Sequence, residues 1–233
     1  MNRQKAPFFA TYGNCIKAND SRELLARLSV LDIDVPETGR SEHNERYSVV
    51  LYLKALATTD RLDYPFSAEK GEGPDFTLIS GEQTIALEHS QAGAEVTQEA
   101  QTRLGRAAVG SVILGENTLV GVGERAERPP PWTRRERLGR WCELILECIQ
   151  AKTRPERLQG YGTFDAYHLL VYDNTGVPVE PGILEAAGDL ASKLSEWEDA
   201  NDVRRRFSRI SVLSDQRLLF DLREERAVLG VAA

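Results

Sequence analysis

Two acidic residues lie at the outer ends of neighbouring apolar runs. The segment GPDFTLISGEQTIALEHSQA, residues 73–92, carries Asp75 at the start of the first run and Glu88 near the end of the second. The runs predict a β-hairpin that turns near residues 80–83, which places Asp75 roughly opposite Glu88. Two adjacent carboxylates repel unless a cation, a shared proton or a basic group lies between them. Their oxygens suit Mg²⁺ or Mn²⁺. The alternative interpretation is two surface carboxylates near loop ends.

The motif resembles that of the PD-(D/E)xK nuclease superfamily. Pro74 and Asp75 are followed, after the 12 residues 76–87, by Glu88, His89 and Ser90. The resemblance implies that Asp75 and Glu88 bind a divalent metal and that the backbone carbonyl of His89 joins them. It also implies a restriction-endonuclease-like core of order α-β-β-β-α-β. The likeness covers residues 41–174 and extends loosely to the last helix and hairpin.

A third carboxylate lies on the helix predicted for residues 41–60. On a helical wheel, Glu45 falls on the apolar side, which also carries Val49, Tyr52, Leu53 and Leu56. A carboxylate aligned with a core face needs a partner, and the resemblance implies a glutamate on this helix that reaches the metal. Glu42, one turn earlier, is the second candidate. Either acid could instead be a helix N-terminal residue favoured by the helix dipole.

The family's lysine, expected two residues after the glutamate, is replaced by Ser90. In the family that lysine orients the attacking water and offsets charge on the phosphate. Three interpretations stay open. The role has moved to another lysine, or the metal and water suffice with Gln91 positioning the water, or the site is inactive.

Two lysines are candidates for a moved role. Lys152 lies on the apolar face of the helix predicted for residues 133–152, although a lysine there also complements the dipole at the helix C-terminus. Lys70 lies in the predicted loop AEKGEG before Pro74, where it could be a solvated charge. His89 could act as a base, but strand alternation turns its side chain away from Glu88.

Length and composition fit one large globular domain. The chain has 233 residues, of which 41% are hydrophobic and 28% charged. We expect an N-terminal extension with a short helix over residues 1–40, then a single nuclease-like domain over 41–233 with an insertion at about 109–153. Mixed helices and strands predict an α/β fold with a mixed central sheet flanked by helices.

The remaining elements follow from periodicity and turn signals. Residues 1–20 look irregular. Helices are predicted for 21–31, 94–108 and 181–200, a strand for 167–174, and strand pairs within 111–123 and 206–222.

Cysteine usage and the N-terminus indicate a cytoplasmic protein. The sequence shows no signal-peptide pattern and no long apolar run. Its three cysteines, Cys15, Cys142 and Cys148, form no CxxC pair, so free thiols are expected and a zinc cluster is not.

The charge distribution limits nucleic-acid binding to local patches. The formal net charge is −7, whereas a chain that binds nucleic acid unaided usually has a basic surplus. Two basic runs, 134–140 and 204–209, contain the candidate phosphate-binding residues Arg134, Arg135, Arg204 and Arg205. Each run could equally be a solvated helix face.

These observations favour a metal-dependent phosphodiesterase or endonuclease acting on DNA, with Asp75, Glu88, Glu45 and Lys152 as catalytic residues. A homodimer fits this function, because a single site cuts one strand at a time. The alternative is an inactive nuclease-fold module that binds or regulates partner proteins in a bacterial or phage system, such as a defence system. A third interpretation is an unrelated α/β domain in which the acids are incidental.

Overall fold

Among the residues described by the computed structural model of the chain, eight strands form one mixed sheet, with helices packed on both of its faces. The structure describes residues 7–31, 41–93, 133–153, 163–175, 177, 182–201, 203, 206–214, 218–223 and 227–230. Within these ranges, no helix has the length and apolar character needed to cross a membrane.

The strands lie across the sheet in their order along the chain. They are β1 (Cys15–Ala18), β2 (Phe66–Lys70), β3 (Phe76–Ser80), β4 (Gln83–Ala92), β5 (Ala166–Asp173), β6 (Arg209–Leu213), β7 (Leu218–Asp221) and β8 (Ala227–Gly230). The helices are α1 (Ser21–Ser29), α2 (Ser41–Thr58), α3 (Arg134–Lys152) and α4 (Ile183–Ala200).

The type of pairing changes twice across the sheet, from antiparallel to parallel and back to antiparallel. Strands β1 to β4 are antiparallel to their neighbours, β4 to β6 are parallel, and β6 to β8 are again antiparallel. The β3–β4 hairpin turns through two residues, and Gly81 there has a positive φ of 59°, as a tight hairpin turn requires. The parallel pairs need crossover connections, and these contain α3 between β4 and β5 and α4 between β5 and β6.

The sheet separates two apolar cores. Helices α1 and α2 cover one face, where Leu53 and Leu87 are fully buried. Helices α3 and α4 cover the other, where Trp141 and Val171 are fully buried. Strand β4 is therefore buried on both faces over residues 85–89, which explains why its sequence reads as a nearly continuous apolar run.

Three strands of the sheet, β1, β2 and β8, were not predicted from the sequence. Residues 15–18 were expected to be irregular and instead form β1, and Lys70, expected in a loop, is the last residue of β2. Both expectations were wrong because these strands are short and alternate buried with exposed positions, so neither presents an apolar run.

The N-terminal residues and α3 both belong to the main core. Strand β1 pairs with β2, and Leu24 and Leu28 of α1 are fully buried in the α2-side core. Helix α3 lies inside the range predicted as an insertion, 109–153, yet it packs on the sheet. The elements predicted for 94–108 and 111–123 lie outside the described residues.

Candidate active site

Asp75 and Glu88 meet where β3 begins. Phe76 pairs with Leu87, so the same register places Asp75 opposite Glu88. The main-chain N–H of Asp75 donates to Glu88 Oε1 at 3.3 Å, and the N–H of His89 donates to Asp75 Oδ2 at 2.9 Å. Each carboxylate is therefore oriented by a main-chain N–H of the opposite strand, and the two side chains form one unit.

Glu88 has its ion-pair partner on α3. Its side chain is 5% exposed, and a charge buried to that degree requires a partner. Lys152, the last residue of α3, donates from Nζ to Glu88 Oε2 at 2.9 Å. The helical wheel placed Lys152 in line with Leu138, Trp141, Ile145 and Ile149, and all four are buried against the sheet. Lys152 lies on the same helix face as these four residues, and its ammonium group contacts the carboxylate of Glu88.

A second lysine approaches from the α2 side. Lys70 Nζ forms an ion pair with Glu45 and lies 3.8 Å from Asp75 Oδ1. Its ammonium group lies over two aromatic rings, 4.6 Å from the ring centre of Phe76 and 5.7 Å from that of Phe8. The register explains this position, because Lys70 pairs with Phe76, the residue after Asp75.

Glu45 belongs to this group through Lys70. Burial raises the pKa of the Glu45 carboxyl, the neighbouring charges of Asp75 and Glu42 add to the rise, and the Lys70 ammonium opposes it. Of the two acids that the sequence singled out on α2, Glu45 is thus the one that the fold brings to the pair. We call Glu45, Lys70, Asp75, Glu88 and Lys152 the acid–lysine cluster. With all groups ionised, its three carboxylates and two lysines carry a net charge of −1.

Ser90 faces α3 where the family's lysine would stand. Cys148 Sγ lies 3.2 Å from Ser90 Oγ, and burial raises the pKa of the Cys148 thiol. Cys148 precedes Lys152 by one helical turn, so Ser90 and Glu88 on β4 meet consecutive turns of α3. This contact of Cys148 was not predicted from the sequence, although the four-residue spacing from Cys148 to Lys152 places both side chains on one face of a helix.

His89 and Gln91 point to the α2 side of the sheet. The Nε2 atom of His89 lies 2.8 Å from Ser48 Oγ, and the amide of Asn44 donates to Gln91 Oε1 at 3.3 Å. Burial lowers the pKa of His89 to about 3, and the charges of Lys152 and Lys70 add to the effect. The imidazole is therefore neutral near pH 7, and it is the main-chain N–H of His89 that contacts the acidic pair.

Of the predicted phosphate-binding arginines, the two that the structure describes, Arg134 and Arg135, do not join the cluster. Arg134 forms an exposed ion pair with Glu185 of α4 at 2.6 Å. Arg134 and Arg135 open α3, about 27 Å from Lys152 along the helix at about 1.5 Å per residue. Arg204 and Arg205 lie outside the described residues. In the same basic run, Arg206 donates to the carbonyl of Thr153, the residue that caps α3 beside Lys152.

The chemistry of the acidic pair fits a magnesium-like ion that keeps most of its waters. In the described part of the chain, no three His, Cys, Asp or Glu side chains are grouped to hold a metal, and Glu45 is paired with Lys70. Mg²⁺ is commonly held by only one or two carboxylates together with waters and substrate phosphates. The residues that would hold it are Asp75 and Glu88.

Comparison of the chain with family models, curated proteins and solved structures finds no match. The residues of the acid–lysine cluster, and the fold that assembles them, therefore carry the evidence for function.

Proposed function

We propose that this protein is a metal-dependent phosphodiesterase that cuts DNA, with Asp75 and Glu88 holding Mg²⁺ or Mn²⁺. The observation that carries the proposal is the acidic pair itself. Glu88 accepts the main-chain N–H of Asp75, and Asp75 accepts the main-chain N–H of His89. Lys70 of β2 and Lys152 of α3 both approach this pair. A pair of surface acids near loop ends would not require a buried Glu88 or a lysine at the end of a core helix.

The order of elements supports the same proposal. Helix α2, strands β2 to β4, helix α3 and strand β5 follow one another among the described residues, which is the order α-β-β-β-α-β. We infer a restriction-endonuclease-like core from this order and from the position of the acidic pair on its second and third strands.

The electrostatics suit a phosphodiester. A divalent ion would change the net charge of the acid–lysine cluster from −1 to +1, opposite to the charge of one phosphodiester group. When bound, the metal would polarise the phosphate and lower the pKa of the attacking water. The chain itself orients the two carboxylates and supplies ammonium groups that offset negative charge as it develops on the phosphate.

One observation favours the second candidate function, an inactive module of the same fold. Glu88 is paired with Lys152 and Glu45 with Lys70, so both carboxylates are compensated within the chain. Such a cluster needs no metal to be stable, which suits a protein that keeps the fold and has lost the chemistry. A net charge of −7 also weakens nonspecific attraction to DNA.

Cleavage assays separate the two functions. Purified protein is incubated with plasmid and with single-stranded DNA in Mg²⁺ or Mn²⁺, beside the variants Asp75→Asn and Asp165→Asn. Asp165 is the matched control, because its carboxylate also accepts a main-chain N–H of β4, at the opposite end of the strand. We expect Asp75→Asn to lose more than about 100-fold in rate, since even outer partners of metal ligands contribute about 10–100-fold.

Folded wild-type protein that neither cuts DNA nor binds either metal in calorimetry would exclude the active enzyme and leave the inactive module. Equal cutting by wild type and Asp75→Asn would show that the activity does not come from this site.

A further inference from the structure

We propose that Lys70 is the lysine that contacts the phosphate, and that Lys152 is a positioning residue that holds Glu88. This assignment depends on the proposed phosphodiesterase function. It divides between two lysines the role that the family gives to one, and it selects the residue on β2 rather than the one on α3.

Lys152 forms a nearly buried ion pair with Glu88. The Lys152 side chain is 16% exposed and that of Glu88 is 5% exposed, with 2.9 Å between Nζ and Oε2. If Lys152 turned towards a substrate, it would leave a nearly buried carboxylate without its cation, and breaking a buried pair in this way is strongly unfavourable. The capping contact from Arg206 to Thr153 also fixes the helix end from which Lys152 extends.

Lys70 has capacity for another partner. Its amine donates to Glu45 and stands 3.8 Å from Asp75 Oδ1, which is beyond hydrogen-bond distance. An ammonium group has three N–H donors, and the aromatic faces of Phe8 and Phe76 attract its charge without consuming any of them. The Lys70 side chain is 25% exposed, so solvent and substrate can reach it.

The carboxylate next to Lys70 is also the most accessible of the cluster. The Asp75 side chain is 32% exposed, against 15% for Glu45 and 5% for Glu88. A phosphate bound beside Asp75 would therefore meet the Lys70 ammonium before any other cation of the cluster. The structure thus points to one open side of the site, formed by Asp75 and Lys70, and one closed side, formed by Glu88 and Lys152.

The role of Lys70 in hydrolysis is electrostatic. Water adds to phosphorus and the ester P–O bond breaks, which yields a phosphate monoester and an alcohol. One proton of the water passes to the alcohol oxygen, and the other is released to solvent as the monoester ionises. Lys70 keeps its own proton throughout and offsets the negative charge that builds on the non-bridging oxygens.

The test is the salt dependence of DNA binding, which reports phosphate contacts without requiring cleavage. A labelled DNA duplex is titrated by fluorescence anisotropy in Ca²⁺ over a range of salt concentrations. Loss of one phosphate contact lowers the slope of log K against log salt by about 0.9. We expect Lys70→Met to lower it by that amount and Lys70→Arg to restore it. Lys152→Met should leave the slope unchanged and lower the melting temperature.

Two further variants make the comparison specific. Lys193→Met removes an exposed lysine from α4 and controls for the loss of one charge. The double variant Lys70→Met with Glu45→Gln removes both members of the ion pair. It is used in place of Lys70→Met if the single variant, which leaves Glu45 without its lysine, does not fold. Cleavage rates in Mg²⁺ are measured beside the binding curves for every variant.

Each result decides a separate point. If wild type binds and cuts, Asp75→Asn does not cut, and Lys70→Met keeps the full slope, the assignment to Lys70 fails while the proposed function stands. If Lys152→Met lowers the slope instead, the two roles are reversed. If wild type neither binds nor cuts DNA, the proposed function fails and the assignment fails with it.

Discussion

Glu88 is a nearly buried carboxylate on β4. It lies within a strand that is buried on both faces, where a carboxylate without partners would destabilise the fold. The chain compensates it with the main-chain N–H of Asp75, just before β3, and with the ammonium group of Lys152 on α3. Three elements therefore depend on one side chain, so removal of its cation should be visible in stability.

Lys152→Met should destabilise the protein by about 3 kcal/mol, near the low end for breaking a buried pair, because Glu88 keeps the hydrogen bond from Asp75. The measurement is urea unfolding at pH 7. Adding Glu88→Gln to Lys152→Met removes the uncompensated charge and should recover most of the loss.

The matched control is Arg134→Met at the other end of the same helix. Its ion pair with Glu185 is exposed, with side chains 57% and 58% accessible, and exposed pairs contribute about 0–1 kcal/mol. A loss in Arg134→Met as large as that in Lys152→Met would argue against the burial explanation.

At the scale of elements, the β2–β3 connection holds Asp75 in place through a close backbone contact. The N–H of Gly71 donates to the carbonyl of Asp75 at 2.9 Å, and a Cβ on Gly71 would lie 2.8 Å from the carbonyl oxygen of Pro74. That oxygen belongs to the backbone, so the connection must shift to admit a side chain. The conformation of this loop and the position of the acidic pair are thus coupled.

Gly71→Ala should therefore displace Asp75, weakening metal binding and cleavage and costing about 1–3 kcal/mol of stability. Calorimetric metal titration and thermal melts measure the two effects. Gly139→Ala is the control, because a Cβ there meets nothing within 4 Å in the middle of α3. It should stabilise the protein by about 0.5–1 kcal/mol. Unchanged metal affinity in Gly71→Ala would contradict the coupling.

A polar seam runs beneath α2, where apolar packing is the usual rule. One helix face, at four-residue spacing, contacts side chains of β4 and β5 in three pairs: Asn44 with Gln91, Ser48 with His89 and Tyr52 with His168. Both histidines are buried, and burial lowers the pKa of each to about 3. These contacts therefore require neutral imidazoles, so the packing of α2 on the sheet should weaken when the histidines are protonated.

The lowered pKa of His168 determines the direction in which stability changes with pH. Its pKa falls from an ordinary 6.5 to about 3 through burial, and the charge of Arg209 on β6 adds to the shift. Below pH 6.5 the unfolded chain binds a proton that the folded chain does not, so stability falls as the pH drops from 6.5 towards 3. The slope approaches about 1.4 kcal/mol per pH unit for each such histidine.

Urea unfolding at several pH values between 7.5 and 4.5 measures this slope. His168→Asn replaces the imidazole with an amide that can still contact the hydroxyl of Tyr52. Because the variant lacks this titrating group, the slope of stability against pH should fall by about 1.4 kcal/mol per pH unit. An identical slope in wild type and His168→Asn would show that His168 titrates normally in the folded protein.

The sequence predicted the elements that carry strong periodicity and missed those that depend on pairing. The β3–β4 hairpin and α3 have clear apolar patterns, and the wheel of α3 placed Lys152 on the buried face. Strand β2 has only two buried apolar residues, Phe66 and Ala68, so no local pattern distinguishes it from a loop. The contact between Lys70 and Glu45 depends on the β2–β3 register and on the packing of α2, neither of which a local pattern contains.

At the scale of the whole molecule, the sheet joins the N-terminal residues to the rest of the chain. The sequence analysis treated residues 1–40 as an N-terminal extension with a short helix, because the family resemblance begins at residue 41. The described part of that range supplies an edge strand and the buried side chains of α1 to the α2-side core. Because the central strands are shared by both cores, a loss on one face should be felt on the other.

Leu28→Ala in α1 and Leu190→Ala in α4 test this coupling, since both leucines are fully buried, on opposite faces of the sheet. Each should cost about 2–5 kcal/mol. Trp141 and Trp197 lie on the α3–α4 face, so tryptophan fluorescence, recorded in a Trp132→Phe background, reports on that face alone. If the sheet unfolds as one cooperative unit, Leu28→Ala shifts the fluorescence midpoint in urea as far as the circular dichroism midpoint. A shift seen only by circular dichroism would mean that the N-terminal elements unfold independently of the layer that carries Lys152.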